Sequence, residues 1–212
     1  MKAAPVHLHS LSRLMVEVSK SKSVLDVGAG GRRLGAHVST CDIIARPNVD
    51  VVCDVCRRLP FPDQHFDLVV CTSVLEHVEN DRLAIEELTR VTSIGGRIWI
   101  EIPFLYHYHV SDFGDRADYR RWTLEGGKRI SHALRLLEWG HNVGPATALR
   151  LMASEVLALC VHSPRHEGPY YLARSLLSWL LYPVSWLDRF CMRSVHSHRV
   201  AGGFYLLFER ME

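Results

Sequence analysis

Three histidines, His77, His107 and His109, draw attention because each follows an apolar run that reads as a strand. A histidine of near-neutral pKa, held at a strand's carboxyl end, can take a proton from a hydroxyl or an amine. The other role open to all three is a satisfied polar side chain or pocket lining. His77 sits in Leu75-Glu76-His77-Val78, just after Thr72 and Ser73, whereas His107 and His109 follow Pro103, Phe104 and Tyr106. Upstream, Val24-Leu25-Asp26-Val27 breaks into Gly28-Ala29-Gly30-Gly31, a turn that permits positive φ and lets a ligand touch bare backbone. A nicotinamide fingerprint would need glycine at position 33, where Arg33 stands, and the Asp26 carboxylate would repel a pyrophosphate. The turn therefore suits a small cationic ligand. Asp42 closes the apolar stretch from His37 to Cys41, where a carboxylate suits a bidentate grip on ribose hydroxyls or is simply solvated.

The elements that must position these groups alternate along the chain. A leading amphipathic helix over 7–20 precedes strands near 24–27, 38–42, 49–53, 67–71 and 97–102, with helices between them. The stretch from Asn80 to Val91 places Leu83, Leu88 and Val91 at helical spacing, and Gly95-Gly96 is expected to stop that helix. Thr123 is expected to cap a helix running through Ser131, followed by strands at Leu134–Trp139 and Gly202–Phe208. This is an α/β chain with a doubly wound sheet, whose ligands bind in the crevice outside the strands' carboxyl ends.

Further segments follow in order: Val49 to Asp54, Leu59-Pro60-Phe61-Pro62-Asp63, Phe66-Asp67-Leu68-Val69, Leu75 to Val78, and Arg90-Val91 ahead of Gly95-Gly96. Over about residues 20–140 the chain resembles class I S-adenosylmethionine-dependent methyltransferases of the type 11 kind. The resemblance implies a Rossmann-like sheet, mostly parallel with an antiparallel last strand, and S-adenosyl-L-methionine as cofactor. It places the cofactor against Asp26, Gly28, Ala29, Gly30, Asp42, Asp54, Val55, Thr72 and Ser73, with Asp54 accepting from the adenine amino group. Beyond the glycines, the Arg32-Arg33 pair departs from the family's commoner small residue and is expected to narrow the methionine pocket. The transfer is an in-line displacement, so the protein mainly positions the acceptor, with His107, His109 or His77 as its base.

The stretch His109 to Thr123, with Asp112, Asp118, Tyr119, Arg120, Arg121 and Trp122, resembles an H...DYxRxT segment of methyltransferases associated with saccharide and cell-envelope biosynthesis. That likeness implies an acceptor held by Tyr106, Tyr119, Arg121 and Trp122. The competing role is a buttress in which Arg121 pairs with Asp118. Some relatives hold magnesium through an ExxEH segment and a later histidine. Here Ser73 replaces the first acid, and although Glu76, His77 and His107 remain, no metal is expected.

The expected activity is methyl transfer to a hydroxyl or amine of a small-molecule or saccharide-like, lipid-linked acceptor. The alternative is a methyltransferase-like scaffold subunit without catalysis of its own. A formal net charge of +2 gives no basic stripe for nucleic acid, and no NPPY-like or ProCys segment suggests base methylation. Cys53 and Cys56 form a lone CxxC, without the second pair that a structural zinc site needs. With no disulfide framework and no apolar leader after Met1-Lys2, a cytoplasmic protein is expected.

One domain over 1–212 is expected, with a helical insertion at about 145–200 between strands six and seven. From Pro145 to Val200 the chain carries six arginines against three acids and no lysine. Its 170–193 segment joins Trp179, Tyr182 and Trp186 to leucines and flanking arginines, while Pro183 divides it and forbids a span. Such a segment makes a peripheral membrane platform, a lid, or a homodimer interface.

Overall fold

The computed structural model describes residues 6–109, 117–161 and 166–212, with side chains from Ser10 onward. Asp112 of the H...DYxRxT stretch lies outside the described residues. Helix α1 (Val6–Lys20) leads into β1 (Val24–Val27), β2 (Val38–Asp42), β3 (Val51–Val52) and β4 (Phe66–Thr72). A 3-10 turn (Leu75–His77) and α2 (Asp81–Val91) connect β4 to β5 (Thr92–Pro103). Then come α3 (Leu124–Lys128), β6 (Leu134–Val143), α4 (Pro145–Leu159), α5 (Gly168–Leu180), α6 (Asp188–Cys191) and β7 (Gly203–Arg210).

The strands form one sheet of order β3-β2-β1-β4-β5-β7-β6, in which β7 runs antiparallel to both β5 and β6. Strand β1 is an interior strand with all four residues buried, between β2 and the central β4. One core layer joins Leu25, Val69, Leu75, Leu88, Ile98 and Phe204, and the opposite face buries Leu14, Val24, Leu68 and Trp99. Both faces are covered, which is why β1 and β4 read as continuous apolar runs rather than alternating ones.

Several boundaries move. Strand β5 begins at Thr92, directly after α2, so Gly95 and Gly96 lie inside the strand and do not stop the helix. Gly95 takes φ +72°, and the ladder to β4 shifts between Phe66 and Leu68, so the pair marks an irregularity in pairing. The third strand keeps only Val51–Val52, α3 ends at Lys128, and β6 runs on to Val143 because β7 pairs along its whole length. Leu88 and Val91 are buried as expected, while Leu83 is exposed. Asn80 caps α2 through Leu83 N (3.2 Å), and Thr123 caps α3 through Gly126 N (3.1 Å).

The insertion leaves the sheet at Val143 and returns at Gly203, which are partners in the β6–β7 ladder. Asp188, at the head of α6 and buried, caps the distant N-terminus of α4: Ala146 N and Thr147 N donate to it at 2.7 and 3.1 Å. No described helix is long and apolar enough to cross a membrane.

Helix α1 is pinned to the sheet by Glu17, whose side chain is only 1% exposed and accepts from Arg13 (2.5 Å) and from Arg97 of β5. Arg13 also donates to Glu138 of β6 (2.6 Å). Burial pushes the Glu17 carboxyl up, but the two arginines outweigh it and hold it below the usual carboxylate range. Removing it leaves two guanidinium groups without their shared partner. Glu17→Gln is expected to lower unfolding free energy by about 3 kcal/mol in urea melts. The contribution of Glu17 is complete above its ordinary pKa of about 4.3 and is lost as pH falls through the depressed folded value. Wild type should therefore lose stability more steeply than the variant on acidification; parallel profiles would remove Glu17 from the account.

Candidate functional site

The glycine turn after β1 is a tight, fully bonded structure. Gly28 N donates to Cys41 O (2.8 Å), and Gly30 N to the Asp42 carboxylate (2.9 Å). Gly28 adopts φ +69°, and a Cβ there would stand 2.2 Å from Val74 Cγ2. Glycine is thus required both by conformation and by the approach of the loop after β4. Asp42 also accepts from Ile44 N (3.0 Å), leaving each carboxylate oxygen with a free lone pair at the end of β2. Asp54 is half-buried beyond β3 and accepts from Cys56 N (2.9 Å); Val55 beside it is buried. These groups, with Ala29 buried beneath the turn, surround the carboxyl ends of β1, β2 and β3.

Asp26 departs from the sequence expectation. Its carboxylate is fully buried and bound in a fork by Arg32 Nε (2.9 Å) and Nη2 (2.7 Å). Burial pushes the Asp26 carboxyl pKa up and Arg32 opposes that rise. The negative charge is therefore answered from within the chain, and the turn does not present a bare carboxylate to a cationic ligand. What it presents is a carboxylate–guanidinium pair. Arg33 points elsewhere, to Asp50 Oδ1 (2.5 Å) and Val38 O (2.8 Å).

On the far side, a cavity of about 130 Å³ opens between the ends of β4, β5, β6 and β7. Ser73, Glu76, Glu101, Tyr106, His109 and Asn142 are among its lining residues. Ser73 takes φ +54°, an unusual conformation for a residue with a side chain, where β4 turns toward the cavity. Glu76 is 1% exposed, its Oε2 has no partner among the described residues, and burial pushes its pKa up to about 7. Thr72 is likewise buried, with an unpartnered hydroxyl. Glu101 accepts from Trp99 Nε1 and Asn142 Nδ2, both at 3.3 Å. Sequence reading missed Glu101 and Asn142 because only the β5–β7–β6 pairing brings them to the site.

The three histidines separate. His77 Nε2 lies 3.2 Å from His109 Nε2, with Glu76 close by: the ligand-type atoms of Glu76, His77 and His109 all lie within 4.8 Å of one another. Burial lowers the pKa of His77, and His109 lowers it further. His107 is elsewhere: its Nε2 faces Arg174 Nη2 of α5 (3.0 Å), and Arg174 in turn pairs with Glu155 of α4 (2.5 Å). A histidine accepting from a guanidinium has no free lone pair on that nitrogen, so His107 ties the insertion to the sheet. The grouping of His107 with Glu76 and His77 is corrected to His109.

The H...DYxRxT segment is a frame. Arg121 donates to both Asp118 oxygens, and to the carbonyls of Tyr106 (3.2 Å) and His107 (2.8 Å). Its fork is fully occupied by the loop, the buttress role. Trp122 packs half-buried against the core, and Tyr119 is exposed while its N–H donates to Glu76 O (2.7 Å). Tyr106 lines the cavity. None of the six cysteines is in a disulfide, and the Cys56 thiol donates to Asn80 O (3.4 Å).

Residues 25–100 match the family described as a methyltransferase domain. The demethylmenaquinone methyltransferase of Thermobifida fusca is 34% identical over 106 residues, covering 40% of this chain and 45% of that protein. The protein of the same name from Paenarthrobacter aurescens is 32% identical over 101 residues, covering 40% of each. The matches thus span less than half the length of these relatives. Among solved structures, the 1,6-didemethyltoxoflavin-N1-methyltransferase of Burkholderia thailandensis superposes with a TM-score of 0.58 at 13% identity, covering 98% of this chain and 79% of that one. Coclaurine N-methyltransferase does so with a TM-score of 0.57 at 14% identity, over 96% and 72%. At such identities the likeness is one of fold. Residues 25–100 thus match the methyltransferase domain family, and the seven-stranded sheet with its antiparallel β7 is the Rossmann-like fold of these methyltransferase structures.

Proposed function

We propose that this chain transfers the methyl group of S-adenosylmethionine to a small acceptor seated in the cavity beyond β4 and β5. The observation that carries this reading is the placement of that cavity, with two acids in its wall, at the loop after β4, whose Val74 abuts Gly28 of the glycine turn. About 130 Å³ admits roughly one six-membered ring. Glu101 accepts hydrogen bonds, and Glu76 does so in its ionised form, so together they favour a substrate that presents O–H or N–H groups there, a hydroxyl or an amine. The cluster of Glu76, His77 and His109 supplies the group that activates it. Asp42 and Asp54 are assigned to the ribose and adenine, with Gly28, Ala29, Gly30, Val55, Thr72 and Ser73 around the rest of the cofactor. Arg32, in its pair with Asp26, faces the methionine end.

A second reading is methylation at carbon. It is favoured by the relatives, one of which, from Cupriavidus necator, is named a ubiquinone/menaquinone biosynthesis C-methyltransferase. A hydroxylated aromatic ring would present the same O–H donors to the two acids. A saccharide-like, lipid-linked acceptor remains part of the proposal through the insertion. Trp179 and Trp186 are 77% and 64% exposed beside Leu172, Leu176 and Leu180, with Arg189 and Arg193 following. Exposed indoles flanked by cations suit the headgroup zone of an anionic bilayer.

Calorimetric titration with S-adenosylhomocysteine should show micromolar binding to the wild type, with NAD giving none. Asp54→Ala should weaken that binding by about 1.5 to 3 kcal/mol, the range for losing a hydrogen bond and exposing its partner. Folded protein that binds no sulfur nucleotide would move the scaffold reading to first place. For the insertion, wild type should sediment with anionic vesicles, and the double substitution Trp179→Ser, Trp186→Ser should abolish this with the melting temperature unchanged. Vesicle binding that survives the double substitution would exclude the platform.

A further inference from the structure

The methyl transfer reading leaves unexplained why two imidazoles meet nitrogen to nitrogen. His77 Nε2 and His109 Nε2 are 3.2 Å apart, with the rings nearly perpendicular at 87°. The second nitrogen of each ring faces only acceptors. His77 Nδ1 lies 3.4 Å from Ala117 O; His109 Nδ1 lies 3.2 Å from Asp118 Oδ2 and 3.4 Å from His107 O. A ring nitrogen against a carbonyl or carboxylate carries the proton, which leaves both Nε2 atoms as bare lone pairs. Two lone pairs at that distance repel one another unless a cation lies between them.

The separation itself fits a shared ion. Nitrogens bound at about 2.0 to 2.1 Å to one tetrahedral or octahedral ion stand roughly 2.9 to 3.4 Å apart. A third ligand is at hand in Glu76: its buried Oε2 has no partner among the described residues, and one carboxylate oxygen of Glu76 and one ring nitrogen of each histidine all lie within 4.8 Å of one another. The outer shell is also in place, because the Asp118 carboxylate and the Ala117 carbonyl orient the two rings as such partners do around bound metals.

We propose that Glu76, His77 and His109 form a two-histidine, one-carboxylate site for a divalent ion of borderline softness, zinc being the representative case. Two imidazoles and one carboxylate disfavour magnesium, which takes oxygen ligands. The open positions of the ion face the cavity, since Glu76 and His109 both line it. The site stands on its own geometry; its use in methyl transfer, where the acceptor heteroatom would complete the ion's shell, rests on the reading above. Without a metal ion, the contact needs a proton on one Nε2, either by protonation of one ring or by a change of tautomer that gives up that ring's Nδ1 contact.

The test is zinc titration of the chelator-treated full chain by calorimetry, with a parallel S-adenosylhomocysteine titration. One zinc per chain should bind with a submicromolar dissociation constant, and His77→Gln and His109→Gln should each weaken it by a hundredfold or more. In ¹⁵N spectra of wild type, zinc should shift the Nε2 signals of two histidines whose Nδ1 atoms stay protonated, a readout that needs no variant to fold. Cobalt in place of zinc should give no thiolate charge-transfer band. No uptake by folded wild type, equal affinity in the variants, or a thiolate band pointing to Cys53 and Cys56 would each overturn the site. Zinc binding without S-adenosylhomocysteine binding supports the metal site and removes the methyl transfer reading.

Discussion

Everything on the acceptor side of this protein depends on one carboxylate. The Asp118 side chain is fully buried, yet it takes both terminal nitrogens of Arg121 and the backbone N–H of His109 at 2.9 Å. Burial alone would push its carboxyl up; Arg121 and the His109 N–H together hold it below the usual range. A buried charge tolerates that position only when paired and hydrogen-bonded, so Asp118, Arg121 and His109 are held to one another. Arg121 carries the constraint onward to the carbonyls of Tyr106 and His107. Tyr119 N on Glu76 O and Ala117 O beside His77 then join the same segment to the turn after β4. The ends of β4 and β5 are thereby held in register by this segment.

The cofactor side works on the same principle with different partners. Asp26 is buried within the sheet and Arg32, six residues on, returns over the glycine turn to meet it. The turn is closed from the other side by Asp42 on Gly30 N, so the loop is preorganised before any ligand arrives. The insertion joins this framework through Arg174, which touches Glu155 within the insertion and His107 on the sheet. Tyr170 donates to the same Glu155 at 2.6 Å. A short chain of polar contacts thus links the exposed helices to the loop that carries His109.

Much of this was legible in the residues. The apolar runs, the glycine turn and the acids that follow them fix the central strands, because a buried parallel strand tolerates little else. The Thr123 cap was equally plain. What escaped depends on contacts distant in sequence. The start of β5 is set by pairing with β4 rather than by Gly95-Gly96, and the length of β6 by β7, which arrives some sixty residues later. Nothing in the spacing of His107 and His109 says which faces His77; that is decided by Asp118 for one and Arg174 for the other. The occupation of Asp26 by Arg32 is a matter of side-chain reach, and type and spacing showed only that an arginine stood nearby.

The pairing of Val143 with Gly203 has a bearing on how such a protein diversifies. Because the insertion departs and returns through facing residues of adjacent antiparallel strands, its ends stand no further apart than those of a hairpin loop. Its length is consequently uncoupled from the spacing of the two strands it joins, while Arg174 ties its composition to His107. A lineage could vary the length of this segment, altering what the protein meets at its outer surface, while the glycine turn and the strand-end acids pass unchanged from one variant to the next.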